Sequence, residues 1–201
     1  MSRTGLREKK RAATAQALAE SAFELAKERG LDGFVIDDVA QRAGYSRRTF
    51  ANHYPCKEAA VASVAYSGLD AAGDALEKLS GGVPLLDAIH AVLRLQLTRA
   101  TLSRMREVIG LSRRFPSLEP YVHSVHHRMR LEAEQRLRSV AGDRYPQAYV
   151  SLLFGALYGM VTSALEGLVD VRLPGDRRPG PQSMEFEQFL DLAFRHLRAG
   201  F

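Results

Sequence analysis

Apolar positions recur at three- and four-residue spacing along most of the chain, and no run alternates convincingly with period two. From Glu8 to Arg29, in a segment rich in Ala, Leu and Glu, the residues Leu18, Ala22, Leu25 and Ala26 form one helical stripe, and Gly30 supplies a natural stop. A short apolar stretch holding Ile36, Val39 and Ala40 follows. A longer helix is expected to start near Lys57 and to run until "SGGVP" (Ser80 to Pro84) breaks it. Leu85, Ile89, Leu93 and Leu97 carry the next stripe, and "SRRFPSLEP" marks a boundary. Leu118, Val122, Val125, Met129 and Leu137 line a helix ending near Gly142. Pro146 to Val169 is apolar almost all round, "VRLPGDRRPGPQS" reads as a loop, and Phe186, Phe189, Leu190, Ala193, Phe194 and Leu197 form a closing stripe. The expected fold class is all-α.

Composition narrows this only in places. The 201 residues, 46% of them hydrophobic, suffice for a well-buried core without staples. One cysteine excludes an intrachain disulfide and fits a reducing compartment. The basic start "MSRTGLREKKR" leads into no apolar core, so it does not read as a secretory signal, and a cytoplasmic location is expected. A net charge of +5 favours polyanionic partners. Enzyme signatures are missing: there is no Gly-rich phosphate loop, HExxH or nucleophile elbow, and no cofactor is expected.

The stretch "VAQRAGYSRRTFANHYPCKEA" (Val39 to Ala59) gives the basic balance a purpose. Gly44 can take the positive φ of a sharp helix-to-helix turn. Ser46 can cap the next helix, and Phe50, four residues on, can pack back onto Val39 and Ala43. That pattern is a helix-turn-helix, whose second helix enters the major groove. Arg47, Arg48 and Thr49 occupy the first turn of that helix. An arginine fork matches guanine O6 and N7, and the helix N-terminus adds partial positive charge toward phosphate.

A longer pattern, "RAATAQALAESAFELAKERGLDGF" followed by "DDVAQRAGYSRRTFANHYPCKEAAV", resembles the N-terminal domain of TetR-family transcriptional regulators from about Arg11 to Val61. The helix, the Gly-Phe junction, the Val-Ala, Ala-Gly, Ser and Thr positions and "KEA" fall in the family's order. The resemblance implies a three-helix DNA-binding domain over residues 1–62 and a larger helical effector and dimerisation domain over 63–201. It implies a homodimer that leaves a palindromic double-stranded operator when a small molecule binds. By the same resemblance Arg47, Arg48, Thr49, Asn52 and His53 face the groove, and Tyr54 and Lys57 contact phosphates. The basic arm (Arg3, Arg7, Lys9, Lys10, Arg11) reads equally as a further DNA contact or as a solubilising tail. Three positions depart from the family: Val35 stands where a capping threonine is usual, Ala51 where an aromatic is usual, and Cys56 where a capping serine is usual.

In the remainder, Ser151, Gly155, Gly159 and Ser163 recur at spacing four, a ridge of small residues suited to close approach by another backbone. With Phe186, Phe189, Leu190 and Phe194 of the closing stripe, they are the expected dimer interface. The uncharged run from Tyr145 to Leu165 is long enough for a membrane span, but its polar residues favour a buried interface helix and no membrane. Met105, Tyr121, Met129, Tyr149, Phe154 and Tyr158 are candidate effector contacts. Eight arginines between Arg94 and Arg130 read mainly as solvated faces, or else as the sign of an anionic effector. His123 and His127 have the spacing of a helical metal pair but no clear third ligand, so no metal is expected. The rival reading is an architectural or partner-controlled DNA binder without a small-molecule effector.

Overall fold

Among the residues that a computed structural model describes (3–66, 71–80, 82–173 and 183–200), nearly all regular structure is helical. The chain divides into two compact units, one of Met1–Ser67 with Glu107–His126, the other of Gly68–Arg106 with His127–Phe201.

The first unit begins with α1 (Arg3–Arg29), which buries Leu18, Ala22, Phe23, Leu25 and Ala26 along the stripe read from the sequence. Gly30 ends it at φ 74°, and the 3-10 turn Leu31–Gly33 sinks Leu31 and Phe34 into the core. α2 (Ile36–Ala43), α3 (Arg47–Ala51) and α4 (Lys57–Ser63) follow. α1 packs on α2 and α4, and Val39, Phe50, Val61 and Val64 are completely buried. Arg42 on α2 donates both ends of its guanidinium to the Glu28 carboxylate on α1, each bond 2.6 Å, and this hydrogen bond holds the exposed Glu28 carboxyl below its ordinary pKa.

The helix expected to run on from Lys57 is shorter than its pattern suggests. α-Helical bonding ends at Ser63, and Val64–Tyr66 tightens into a 3-10 turn. β-Branched Val64, with the Ser67–Gly68 pair just beyond it in sequence, lowers the propensity to continue. Helix resumes as α5 (Ala71–Ser80).

The first unit is completed by the end of α7 (Arg99–Arg114), the 3-10 turn Pro116–Leu118 and the start of α8 (Glu119–Ala141). Val108 and Leu118 are fully buried, and a Cβ added at Gly30 would lie 3.0 Å from the Phe115 ring. Lys27 on α1 reaches Glu107 on α7 at 2.9 Å, and that hydrogen bond raises the lysine pKa.

In the second unit α6 (Leu85–Gln96), the rest of α8, α9 (Gln147–Glu166) and α10 (Phe186–Ala199) enclose one core, with Leu85, Ile89, Val92, Leu137, Val150, Leu153, Leu157, Leu190 and Phe194 at its centre. His90 stacks on Phe194 at 4.3 Å and bonds Asp191 at 2.8 Å, while Arg198 reaches Asp87 at 2.7 Å, so α6 and α10 are joined by apolar and ionic contacts together. Between α9 and α10, β1 (Val171–Arg172) pairs in parallel with β2 (Met184–Glu185). Two-residue strands are too short to leave an alternating pattern, which is why the sequence did not announce them. Residues 174–182 of the expected loop lie outside the described residues.

Candidate nucleic-acid interface

The turn between α2 and α3 is built by local chemistry. Gly44 takes φ 74° and ψ 28°, and the Tyr45 N–H donates to the Ala40 carbonyl at 2.8 Å while Gly44 N–H bonds Gln41 at 3.1 Å, the paired closure that ends a helix through a left-handed residue. Ser46 then accepts from the Thr49 N–H at 3.1 Å. Phe50 points straight into the core and leaves the opposite face of α3 outside.

On that outer face Arg47 and Arg48 are exposed and Thr49 is half-buried, its hydroxyl 2.9 Å from that of Ser46. Arg47 meets Asp37 at 3.0 Å, with both side chains more than half exposed. Such a pair is worth about 0–1 kcal/mol and leaves the guanidinium available to an incoming partner. With only five residues α3 has little macrodipole, so charge on this face comes from the arginines rather than from the helix end.

The departures at the caps resolve in different ways. Valine has no acceptor, so at Val35 only the return half of a capping box forms: Asp38 accepts from the Val35 N–H at 2.8 Å. Cys56 caps α4 with its sulfur, which accepts from the Ala59 N–H at 3.4 Å. Tyr121 interacts with Cys56, and that interaction raises the tyrosine pKa.

Tyr54 and Lys57, expected at phosphates, are engaged inside the first unit. The Tyr54 hydroxyl donates to the Ala15 carbonyl on α1 and accepts from Ser63, both at 3.1 Å. The Lys57 ammonium donates to the carbonyls of Leu31 at 2.6 Å and Phe34 at 2.8 Å and lies 4.9 Å above the Phe34 ring. One of its three N–H groups remains for another acceptor. Lys57→Ala is therefore expected to lower stability by about 1–3 kcal/mol, since it strands two part-buried carbonyls. Urea denaturation measures this, and an unchanged midpoint would restore Lys57 to a purely external role.

Asn52 and His53, at the end of α3, line a cleft of about 500 Å³ with Arg7, Glu8 and Arg11 of α1. α1 is helical from Arg3, so the basic arm is an extension of that helix. The sequence marks the arginines but does not place them beside His53.

The remaining candidates differ in burial and in what they touch. Met105 is buried, Met129 is half-buried, Tyr149 is exposed and stacks on Tyr145, Phe154 stacks on Tyr158 at 5.9 Å, and Tyr121 lies at Cys56. Of the eight arginines from Arg94 to Arg130, six are exposed, and only Arg104 and Arg130 are half-buried. They do not point inward as a set, and the solvated reading fits them.

On α9 the small-residue ridge lies outward: Gly155 is exposed, a Cβ at Gly155 or Gly159 would meet nothing within 4 Å, and the neighbouring Leu152 is 75% exposed. Ser151 and Ser163 are half-buried, and Ser151 bonds Glu134 and Arg138. On α10 the expectation needs correction. Phe186, Leu190 and Phe194 are 4%, 1% and 0% exposed within their own chain, so they cannot meet a partner; Phe189 alone of the four is half-buried.

Residues 18–64 match the family model of bacterial regulatory proteins of the tetR family. No curated protein matches the chain. Among solved structures, one assigned as a TetR-family transcriptional regulator from Mesorhizobium loti MAFF303099 is 19% identical, covering 94% of this chain and 97% of that one, with a TM-score of 0.53. A transcriptional regulator from Rhodococcus sp. Rha1 is 22% identical over 92% of this chain and 96% of that one, with a TM-score of 0.51. The chain therefore shares its all-α fold with these proteins over nearly its whole length, and its residues 18–64 are similar to the tetR family of bacterial regulatory proteins.

Proposed function

We propose that the protein is a cytoplasmic homodimeric repressor that reads a palindromic operator through α3 and leaves it when a small apolar molecule binds the second unit. The observation that carries the reading is the geometry of α3: Phe50 anchors one face in the core while Arg47 and Arg48 stand exposed on the other. Residues 1–62 would supply the DNA contacts and 63–201 the effector and dimer surfaces. Asn52, His53 and Thr49 would flank the two arginines in the groove, and the free N–H of Lys57 would reach a phosphate.

Alanine at Arg47 or Arg48 is expected to cost about 1–3 kcal/mol on the selected operator and to relax specificity at particular base pairs. Fluorescence titrations against single-base operator variants measure this, and unaltered affinity in both mutants would remove α3 from the recognition role.

The outward ridge on α9 supports the dimer. α9 has 20 residues, enough by length to cross a bilayer, and its most apolar 18-residue window has a mean hydropathy of 1.6, yet only 28% of that window is buried within the chain. A second copy covers such a face in a soluble regulator. An apolar effector fits better than an anionic one, because most of the middle arginines are exposed. The second reading is a regulator controlled by a partner instead of a small molecule. A thermal-shift panel of neutral and acidic hydrophobic compounds separates them: only the effector reading expects a compound that both stabilises the protein and releases the operator.

A further inference from the structure

We infer that the cleft between α1 and the end of α3 is a clamp for a DNA backbone phosphate, held by Arg7 and Arg11 and opposed by Glu8. The inference rests on the DNA-binding reading and adds to it a contact outside the helix-turn-helix. Arg7 and Arg11 lie one helical turn apart and so share a face of α1, and both are exposed. Across the cleft stand Asn52 and half-buried His53, which directly follow α3.

The cleft is held in place from behind. The Tyr54 hydroxyl, next to His53, bonds the Ala15 carbonyl one turn beyond Arg11, and the Thr14 hydroxyl lies 3.4 Å from that of Tyr45 in the turn before α3. These contacts fix the register of α1 against the recognition segment. On this inference a duplex lying on Arg47 and Arg48 would bring its sugar-phosphate edge to the end of α3, where Asn52 and His53 line the cleft. Two guanidinium forks and the Asn52 amide are donors suited to phosphate oxygens. Glu8 is the one formal negative charge in the lining and weakens the clamp. A phosphate contact of this kind reads no sequence: it strengthens binding to any duplex and fixes how α3 enters the groove.

The test uses the full chain and a random-sequence 25-base-pair duplex, titrated by fluorescence anisotropy at several salt concentrations. For Arg7→Ala/Arg11→Ala, affinity at low salt should fall at least about tenfold, and the slope of log K against log salt should shrink by about 0.9 for each phosphate that the variant no longer neutralises. Glu8→Gln should tighten binding about two- to five-fold, a gain that misfolding cannot imitate. If the double variant keeps the wild-type affinity and slope while Arg47→Ala/Arg48→Ala weakens binding, the clamp is overturned and the DNA-binding reading stands. If the wild-type protein itself binds the duplex without salt dependence, both fall. If inorganic phosphate raises the melting temperature of the wild type alone but the double variant binds DNA normally, the cleft is a site for a free anion and the DNA clamp is overturned.

Discussion

Phe50→Ala should unfold the recognition segment and abolish DNA binding. α3 has five residues, far too few to persist alone, so its geometry depends on the ring that is 0% exposed beneath it. The Phe50 carbonyl also accepts from the N–H groups of His53 and Tyr54, both at 2.9 Å, and the ring lies 5.8 Å from that of Tyr54. Truncation removes the ring and leaves a cavity that a close-packed core cannot fill, a loss of about 3–5 kcal/mol. That is a large share of the stability of a domain this size. Chemical denaturation followed by circular dichroism should show the loss, and Phe50→Leu, which keeps a bulky apolar group, should recover most of it. A Phe50→Ala protein with wild-type stability would mean that something else holds α3.

Gly155→Leu should give the opposite combination, a well-folded protomer that no longer pairs. In its own chain a Cβ at this position meets nothing within 4 Å, and Gly155 is exposed, so the protomer should accept the longer side chain. Replacing glycine inside α9 also adds about 0.5–1 kcal/mol of helix propensity. A clash is then expected from a second chain lying close against the ridge of Gly155, Gly159 and Leu152. Sedimentation should report a monomer with undiminished helical circular dichroism. Without the link between its two half-site complexes, operator binding should weaken by about 10²–10⁴-fold, since the second binding event is then no longer intramolecular. An unaltered dimer would show that the ridge faces solvent and that the chains pair elsewhere.

What could be read in advance depended on how local the determining chemistry is. Gly44, Ser46 and Phe50 specify their turn, cap and anchor within eight residues, and the structure forms all three as the sequence indicates. Cys56 keeps the capping role of the serine it replaces because a thiol sulfur can still accept. Long-range pairing stayed hidden. Nothing near Lys57 says that its ammonium closes on the carbonyls of Leu31 and Phe34, more than twenty residues earlier. The apolar pattern of Phe186, Leu190 and Phe194 is the same whether a helix packs on its own chain or on a partner, and only burial tells that all three are covered by their own chain, Leu190 and Phe194 within the core that includes α6. The helix from Lys57 misled because its alanine-rich pattern continues past Val64, where the backbone tightens. The cleft at His53 was invisible because its two walls are some forty residues apart in sequence.

The most direct measurement is selection of bound duplexes from a random-sequence pool by the purified wild-type protein and by Arg47→Ala/Arg48→Ala. Sequencing the retained DNA should yield, for the wild type, one enriched motif with two inverted half-sites about one helical turn apart, as two copies of α3 related by a twofold axis require. The double variant should retain DNA with that motif lost or degraded. A wild-type pool with no enriched motif, or the same motif enriched equally by the variant, would contradict the assignment of α3 as the element that reads DNA.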